Sequence, residues 1–401
     1  MIYLIGTGVG SLRLLTEEAK ETILSSDAVI GSKRMLEAIS DFYKGETFAE
    51  VNAEKIKNII ADLSDRKISV LFSGDSGFYS GAKKLAEYYG DKAVVLPGIG
   101  SLSYMAAKIK RPWQNVKLVS AHGLFPDTSA YIATNKEVFF LTGSVMTPEK
   151  IIKDAYEKHL DNVTFYVGEN LSYDDEDVKV GSASQLLDVK FHPLSVVWCV
   201  NEDGFSDKLH SFDMKDEEFI KENVPITKRE VRNSAVLELK LRNGGVFYDI
   251  GGGTGSVSVA VSKASPFIEI YTIERKDNAC DVIERNFSRH KVLNGHLIKG
   301  LAPDAMENLP APDYAFIGGS AGNLEKIVES LLAKNPNVRV VITALTMETL
   351  CEVKETFKKL EIENWEGRQI SVSEFKALGS YNALMAQNPI FMFSFGGNDE
   401  L

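Results

Sequence analysis

The chain is poor in the residues that build metal sites and disulfides. Its 401 residues include three cysteines and six histidines. Cys199, Cys280 and Cys351 lie far apart, with no CxxC and no Cys/His pair at metal-ligand spacing. A structural zinc and a disulfide framework are both disfavoured, no metal is expected, and a reducing cytoplasm is the expected setting. Positive charge is also short: 45 Lys and Arg against 56 Asp and Glu leave −11 at pH 7. Nucleic acid and anionic membranes need a basic field, so neither is an expected partner, and an anionic substrate must meet local cations. No apolar run reaches the roughly 20 residues of a membrane span. The opening "MIYLIGTG" has no basic segment ahead of its apolar residues and runs into a strand, which argues against a secretory signal.

What remains is an ordinary globular composition, 44% hydrophobic and 25% charged, in a chain longer than one core usually supports. Two domains are expected. From Met1 to about Asn201 short apolar runs ("YLIG", "DAVIG", "ISVLFSG", "AVVLPG", "VKLVSAHG", "EVFFLTG", "VTFYVGE", "LSVVWCV") alternate with amphipathic segments. That alternation predicts an α/β fold with a largely parallel sheet. Thr16 ahead of Glu17 and Glu18 reads as a helix start. The charged stretch from Gly204 to about Lys221 breaks the rhythm and reads as a linker or the edge of the second domain. The alternation then restarts with "GVFYDIG", "IEIYTIE", "HLIKG", "YAFIGG", "VRVVITA" and "PIFMFSFGG" as strands. The division is 1–205 and 206–401.

Two glycine-rich loops follow strands, "IGTGVG" at the start and "DIGGGTGS" near residue 250. In the second, Gly251, Gly253 and Gly255 give GxGxG, and Ser256 stands where a dinucleotide fingerprint needs its last glycine. Asp249 precedes this loop on its strand. Glu274 ends the next strand, where a carboxylate suits two ribose hydroxyls. Close backbone approach without a diphosphate cradle points to S-adenosylmethionine; the plain alternative is a turn that packs a helix on a sheet. The first loop has no acid at the end of a second strand and fails both tests. A nicotinamide oxidoreductase is disfavoured because neither loop has GxGxxG.

Residues from about 225 to 350 resemble the decarboxylating precorrin methyltransferase domain of cobalamin biosynthesis, through "PITKREVR", "YDIGGGTGSVSVAV", "YTIERK", "LPAPDYAFIGGSAGNLEKI" and "ALTMETL". The resemblance implies a seven-stranded class I Rossmann-like methyltransferase fold, with Gly251, Gly253, Gly255 and Glu274 holding S-adenosylmethionine. Where that family commonly reads G-D-A-P, this chain has Gly300-Leu301-Ala302-Pro303, so adenine is expected to meet backbone and apolar groups there. Residues 1–200 resemble the tetrapyrrole methylase family, in its precorrin C5-methyltransferase branch, through "FSGDSGFYSG", "VVLPGIGSLSYMAAKIKRPW", "LVSAHG" and "YVGENLSYDDE". This implies a class III fold of two α/β subdomains with a second S-adenosylmethionine site, against Gly74, Asp75 and Gly77 and near Pro97, Gly98 and Ser103. Gly6, Gly8 and Gly10 would face the tetrapyrrole. Val9 and Ser76 stand at two positions where that family has proline.

A precorrin or cobalt-precorrin carries many carboxylates. Candidate cations are Lys33–Arg34, Lys110–Arg111, and Lys228–Arg229 with Arg232, since Arg grips a carboxylate with two parallel bonds; solvated surface is the alternative for each. Gly318, Gly319 and Ser320 would admit a flat ligand, with Ser320 a catalytic candidate or a helix cap. His122, at a strand end, is a candidate general base or a structural residue. The other five histidines sit in no readable constellation. The resemblance implies a bifunctional enzyme that methylates C5 and C15 and decarboxylates the C12 acetate, as a homo-oligomer. The alternative is a tetrapyrrole- or S-adenosylmethionine-binding regulator with decayed sites.

Overall fold

A computed structural model describes residues 1–63, 65–202, 212–242 and 244–397. The chain divides into two compact units, Met1–Ser206 and Asp207–Leu401. The expected boundary at 205/206 and the first part of the expected linker lie outside the described residues. Among the described residues no helix is long and apolar enough to cross a membrane.

The first unit has two sheets. β1 (Ile2–Gly6), β2 (Ala28–Gly31), β3 (Glu46–Ala49), β4 (Ile68–Phe72) and β5 (Ala93–Leu96) pair in the order β3-β2-β4-β1-β5, all parallel. Strands covered on both faces read as continuous apolar runs. β1 and β4 are buried in this way and stood out as "YLIG" and "ISVLF". β3 is mostly exposed and carries no such signal. Thr16 caps the helix Glu17–Leu24 as expected, its Oγ1 accepting the Ala19 N–H at 3.2 Å.

The second sheet corrects the expectation of a largely parallel half. β6 (Lys117–Ser120), β7 (Glu137–Leu141), β8 (Val163–Glu169), β9 (Asp177–Ser182) and β10 (Ser195–Asn201) run β6-β7-β10-β8-β9, and only the β6–β7 pair is parallel. The tight connection 170–176 from β8 to β9 forces antiparallel pairing, because parallel neighbours need a long crossover. β10 inserts between β7 and β8. The helix Ser101–Ile109 leaves the first sheet after β5 and buries Leu102, Met105 and Ala106 against Phe139, Leu171 and Trp198 of the second.

The second unit is the expected class I sheet. β11 (Val246–Ile250), β12 (Glu269–Glu274), β13 (Gly295–Lys299), β14 (Tyr314–Ile317), β15 (Arg339–Ala344), β16 (Trp365–Ile370) and β19 (Ile390–Phe395) pair as β13-β12-β11-β14-β15-β19-β16, with β19 antiparallel to both neighbours. The hairpin β17 (Ser373–Leu378) and β18 (Tyr381–Ala386) stands apart as its own sheet. β16 to β18 were not expected: most of their residues are exposed, so no buried run marks them. Helices Ser256–Ala264, Asp277–Arg289, Leu324–Lys334 and Met347–Lys359 carry the amphipathic segments between the strands.

Candidate active sites

In the first unit the glycine segments meet at the C-terminal ends of β4, β1 and β5, where parallel sheets bind ligands. Gly8 N–H donates to Gly74 O at 3.1 Å and Gly74 N–H to Gly8 O at 2.8 Å. A Cβ on Gly6 would lie 2.8 Å from Gly74 O, 2.8 Å from Gly98 N and 2.9 Å from Ser76 N. The glycines thus serve backbone-on-backbone packing. Asp75 ties the same loops together: Oδ1 accepts the Gly77 N–H at 2.8 Å and Oδ2 the Gly98 N–H at 3.1 Å. The expected split, with Gly74, Asp75, Gly77 and Gly98 on the cofactor and Gly6 and Gly8 on the substrate, is not visible; they form one cluster. Pro97 and Ser103 flank it, both exposed. Gly10 lies under Tyr173, whose ring would be 2.3 Å from a Cβ there. Ser76 donates Oγ–H to Leu96 O at 3.0 Å and fixes by a hydrogen bond the loop that proline stiffens in the related family.

Lys33 and Arg34 are exposed at the start of the helix Lys33–Ile39, which follows β2 at the same sheet edge. Arg111 is not available: it makes two bonds to Glu137, at 3.1 and 2.8 Å. His122 is exposed just beyond β6, and its Nδ1–H donates to Thr142 O at 3.3 Å, which leaves Nε2 as a free acceptor.

The second unit contains a cavity of about 800 Å³. Its lining brings together Gly251 to Gly253, Glu274, Gly300 to Ala302 and Gly318 to Ser320. Gly251 lets Gly319 approach, since a Cβ would meet Gly319 O at 2.8 Å and N at 2.9 Å; Gly253 makes room for Pro225 O at 2.8 Å. Gly255 packs on Ile283 and Phe287, away from the lining. Gly319 itself has open space where a Cβ would stand. Glu274 is 8% exposed. Its Oε1 accepts the Arg275 and Lys276 N–H groups at 2.8 and 2.9 Å, and Oε2 accepts the Gly253 N–H at 3.0 Å. A carboxylate has about four acceptor positions, so Oε2 retains one for a hydroxyl.

Three expected site residues require correction. Asp249 does not reach the cavity. It is 1% exposed, and its Oδ2 accepts from Ser258 N–H at 3.1 Å and Ser258 Oγ–H at 2.6 Å. It anchors the first turn of the helix below the loop, and burial pushes its pKa up to about 7. Arg229 is taken by Asp213, with its Nε donating at 2.5 Å, and that bonding holds the Asp213 carboxyl at about 2. Arg232 is fully buried. It donates to Asp216 Oδ1 at 3.2 Å, Thr227 O at 2.7 Å and Met214 O, and lies 4.7 Å over the Phe219 ring. Both arginines fasten residues 213–227 to the helix Arg229–Glu238.

Ser320 is not a helix cap; Asn323 holds that position. Ser320 donates Oγ–H to Glu352 Oε2 at 3.1 Å and accepts the Gly322 N–H at 3.3 Å. Glu352 Oε1 also accepts the Leu324 N–H at 2.9 Å, so this residue, which sequence reasoning missed, ties Ser320 of the lining to the start of the next helix. Lys228, Arg275 and Lys276 are the cations that do line the cavity. Ile370, Val372 and Gln387, from the β16–β19 region, line it without any sequence signal.

Residues 1–187 match the family model for tetrapyrrole (corrin/porphyrin) methylases and residues 218–396 that for a precorrin methyltransferase domain. The chain is 28% identical over 358 residues to a Sinorhizobium precorrin-6Y C(5,15)-methyltransferase (decarboxylating), across 86% of this chain and 85% of that one. It is 33% identical over 175 residues to a probable cobalt-precorrin-6B C(15)-methyltransferase (decarboxylating) of Pyrobaculum calidifontis, across 43% of this chain and 89% of that one. A crystal structure of a precorrin-6Y C5,15-methyltransferase from Geobacter metallireducens is 30% identical, covering 45% of this chain and 95% of that one, with a TM-score of 0.43. The Sinorhizobium and Pyrobaculum relatives and the two family models support the enzyme reading and not the regulator. With a tetrapyrrole methylase half preceding a C15-methyltransferase half, the chain belongs to the decarboxylating precorrin-6Y C5,15-methyltransferase family.

Proposed function

We propose that the chain is a bifunctional S-adenosylmethionine-dependent methyltransferase of corrin-ring biosynthesis. The first unit methylates C5; the second methylates C15 and decarboxylates the C12 acetate. The observation that carries this reading is a cavity of the second unit that joins an acid suited to ribose with a glycine floor open to a flat ring. The lining fits the cofactor: Glu274 has an acceptor position for a ribose hydroxyl, and Leu301 and Ala302 offer an apolar surface to adenine. In the first unit the cluster around Gly6, Gly74 and Gly98 is the corresponding candidate.

When bound, S-adenosylmethionine supplies an electrophilic methyl group. The protein's work is orientation and exclusion of water. Lys228, Arg275 and Lys276 offset the substrate carboxylates that a chain of −11 would otherwise repel. Gly318 and Gly319 admit the macrocycle, and Glu352 keeps Ser320 and the start of the next helix fixed beneath it. Loss of CO2 from the acetate leaves an electron pair that the conjugated ring accepts, so the chain needs only to orient the carboxylate. His122 Nε2 is the candidate base in the first unit. A cytoplasmic homo-oligomer is part of this reading. Mass spectrometry of the product from metal-free and cobalt-bearing substrates tests it. Gain of two methyl groups with loss of one CO2 is expected; gain of one methyl group would remove one unit from the assignment.

A further inference from the structure

Residues 223–228 form one wall of the C-terminal cavity. They precede the sheet in the chain and pair with none of its strands. One contact that holds them is apolar: Val224 packs on Ala279 and Val282. Such a contact is non-directional and allows sliding. Arg232 fixes Thr227 of the wall to its own helix, and the directional link from this segment to the glycine loop comes from Asn286, which is fully buried on the helix Asp277–Arg289. Its Oδ1 accepts the Ile220 N–H at 2.9 Å, and its Nδ2 donates to Ile220 O at 3.0 Å and to Thr254 O at 2.8 Å. Thr254 directly follows Gly253 in the cofactor loop. Gly253 in turn accommodates Pro225 O of the same wall and donates its N–H to Glu274. The loop thus meets the wall itself at Gly253 and Pro225, and through the Asn286 amide it is tied to Ile220, three residues ahead of the wall.

We propose that Asn286 is a positioning residue that makes the glycine loop and the substrate wall move as one body, so that cofactor and tetrapyrrole bind cooperatively in the second unit. The inference rests on the cavity assignment made above. An amide is suited to the task because it offers both donors to two carbonyls and an acceptor to one N–H. An aspartate keeps the acceptor and loses both donors. Coupling of this kind is reciprocal, so either ligand reports it.

The test is calorimetry on the full chain with S-adenosylhomocysteine, which cannot transfer a methyl group, with and without saturating tetrapyrrole substrate. The C-terminal site is the one that Glu274→Gln weakens. In the native chain the substrate is expected to tighten that site by about tenfold, within the usual range of coupling. Asn286→Asp is expected to bring the ratio to within about twofold, while C5 methylation by the first unit continues. Gly253→Ala, which pushes Pro225 away from the other side, should do the same and serves if Asn286→Asp does not fold. A purely structural role would lower the melting temperature and leave the ratio at its native value, and that result overturns the proposal. Binding without coupling in the native chain also overturns it and leaves the cofactor assignment intact. No C-terminal binding of S-adenosylhomocysteine overturns both.

Discussion

Replacement of Arg232 by alanine separates the role its sequence suggested from the role its surroundings give it. A substrate-gripping arginine can be removed with little effect on stability, whereas a buried tether cannot. Arg232 is fully buried, and burial pushes its pKa down, so its charge is held at a cost. Its removal leaves Thr227 O and Met214 O without their donor and ends the contact with the Phe219 ring. A buried acceptor left unpaired costs about 1–3 kcal/mol, and a cation over an aromatic ring contributes about 0.5–2 kcal/mol. Two terms reduce the loss: the desolvation of the guanidinium is recovered, and Asp216 keeps Lys228 at 3.3 Å. The net is about 3 kcal/mol, the lower end for a broken buried pair. For a unit of this size that corresponds to a fall in Tm of about 6–12 °C. Differential scanning calorimetry of the full chain reads this in the transition of the second unit. A Tm within about 2 °C of the native value, together with a tenfold rise in KM for the tetrapyrrole, would refute the tether and restore the substrate role.

Asp249→Asn should remove a pH dependence. The folded-state pKa of Asp249 is raised to about 7, so between about pH 4 and 7 the unfolded chain releases a proton that the folded chain retains, and stability falls as pH rises. The full penalty above pH 7 is at most about 4 kcal/mol, and urea midpoints of the two chains should converge at pH 4 and diverge at pH 8; parallel profiles would sink this account. Gly6→Ala forces a methyl group onto three backbone atoms and should cost about 1–3 kcal/mol and abolish C5 but not C15 methylation, as product mass spectrometry would show. His122→Ala should lower the C5 rate by about 10²-fold, and an unchanged rate discards the base role. Lys228→Ala should raise KM for the tetrapyrrole in the C15 step by about three- to tenfold, in keeping with a half-exposed charge, with kcat little changed; an unchanged KM would remove it from the substrate-binding set.

The buried strands were legible because burial on both faces writes itself as an apolar run. β3, β9 and the β16–β18 region were not, since residues that face solvent obey no such pattern; Phe375 and Tyr381 on the hairpin are 77% and 78% exposed. Arg229 and Arg232 misled because their spacing was read without its complement. Asp213 and Asp216 repeat that three-residue spacing, each 16 residues upstream of its partner. Two acids and two bases in matching register are a signature of self-pairing, and it was present in the sequence. Glu352 had no such signal, because its two bonds join segments far apart in the chain.

The two glycine loops show what sequence reasoning left out. Their glycines were read as space for a ligand. Gly6, Gly251 and Gly253 instead let one backbone lie on another, at Gly74 and Gly98, at Gly319 and at Pro225. A glycine count therefore cannot tell a cofactor loop from a packing loop. The neighbouring acid can. Asp75 spends an oxygen on each of two N–H groups and staples its loops together. Glu274 collects three N–H bonds, lines the cavity and still has an acceptor position on Oε2. Close packing of the loop is what holds that carboxylate in place, so the glycines position the acid before they make room for anything else.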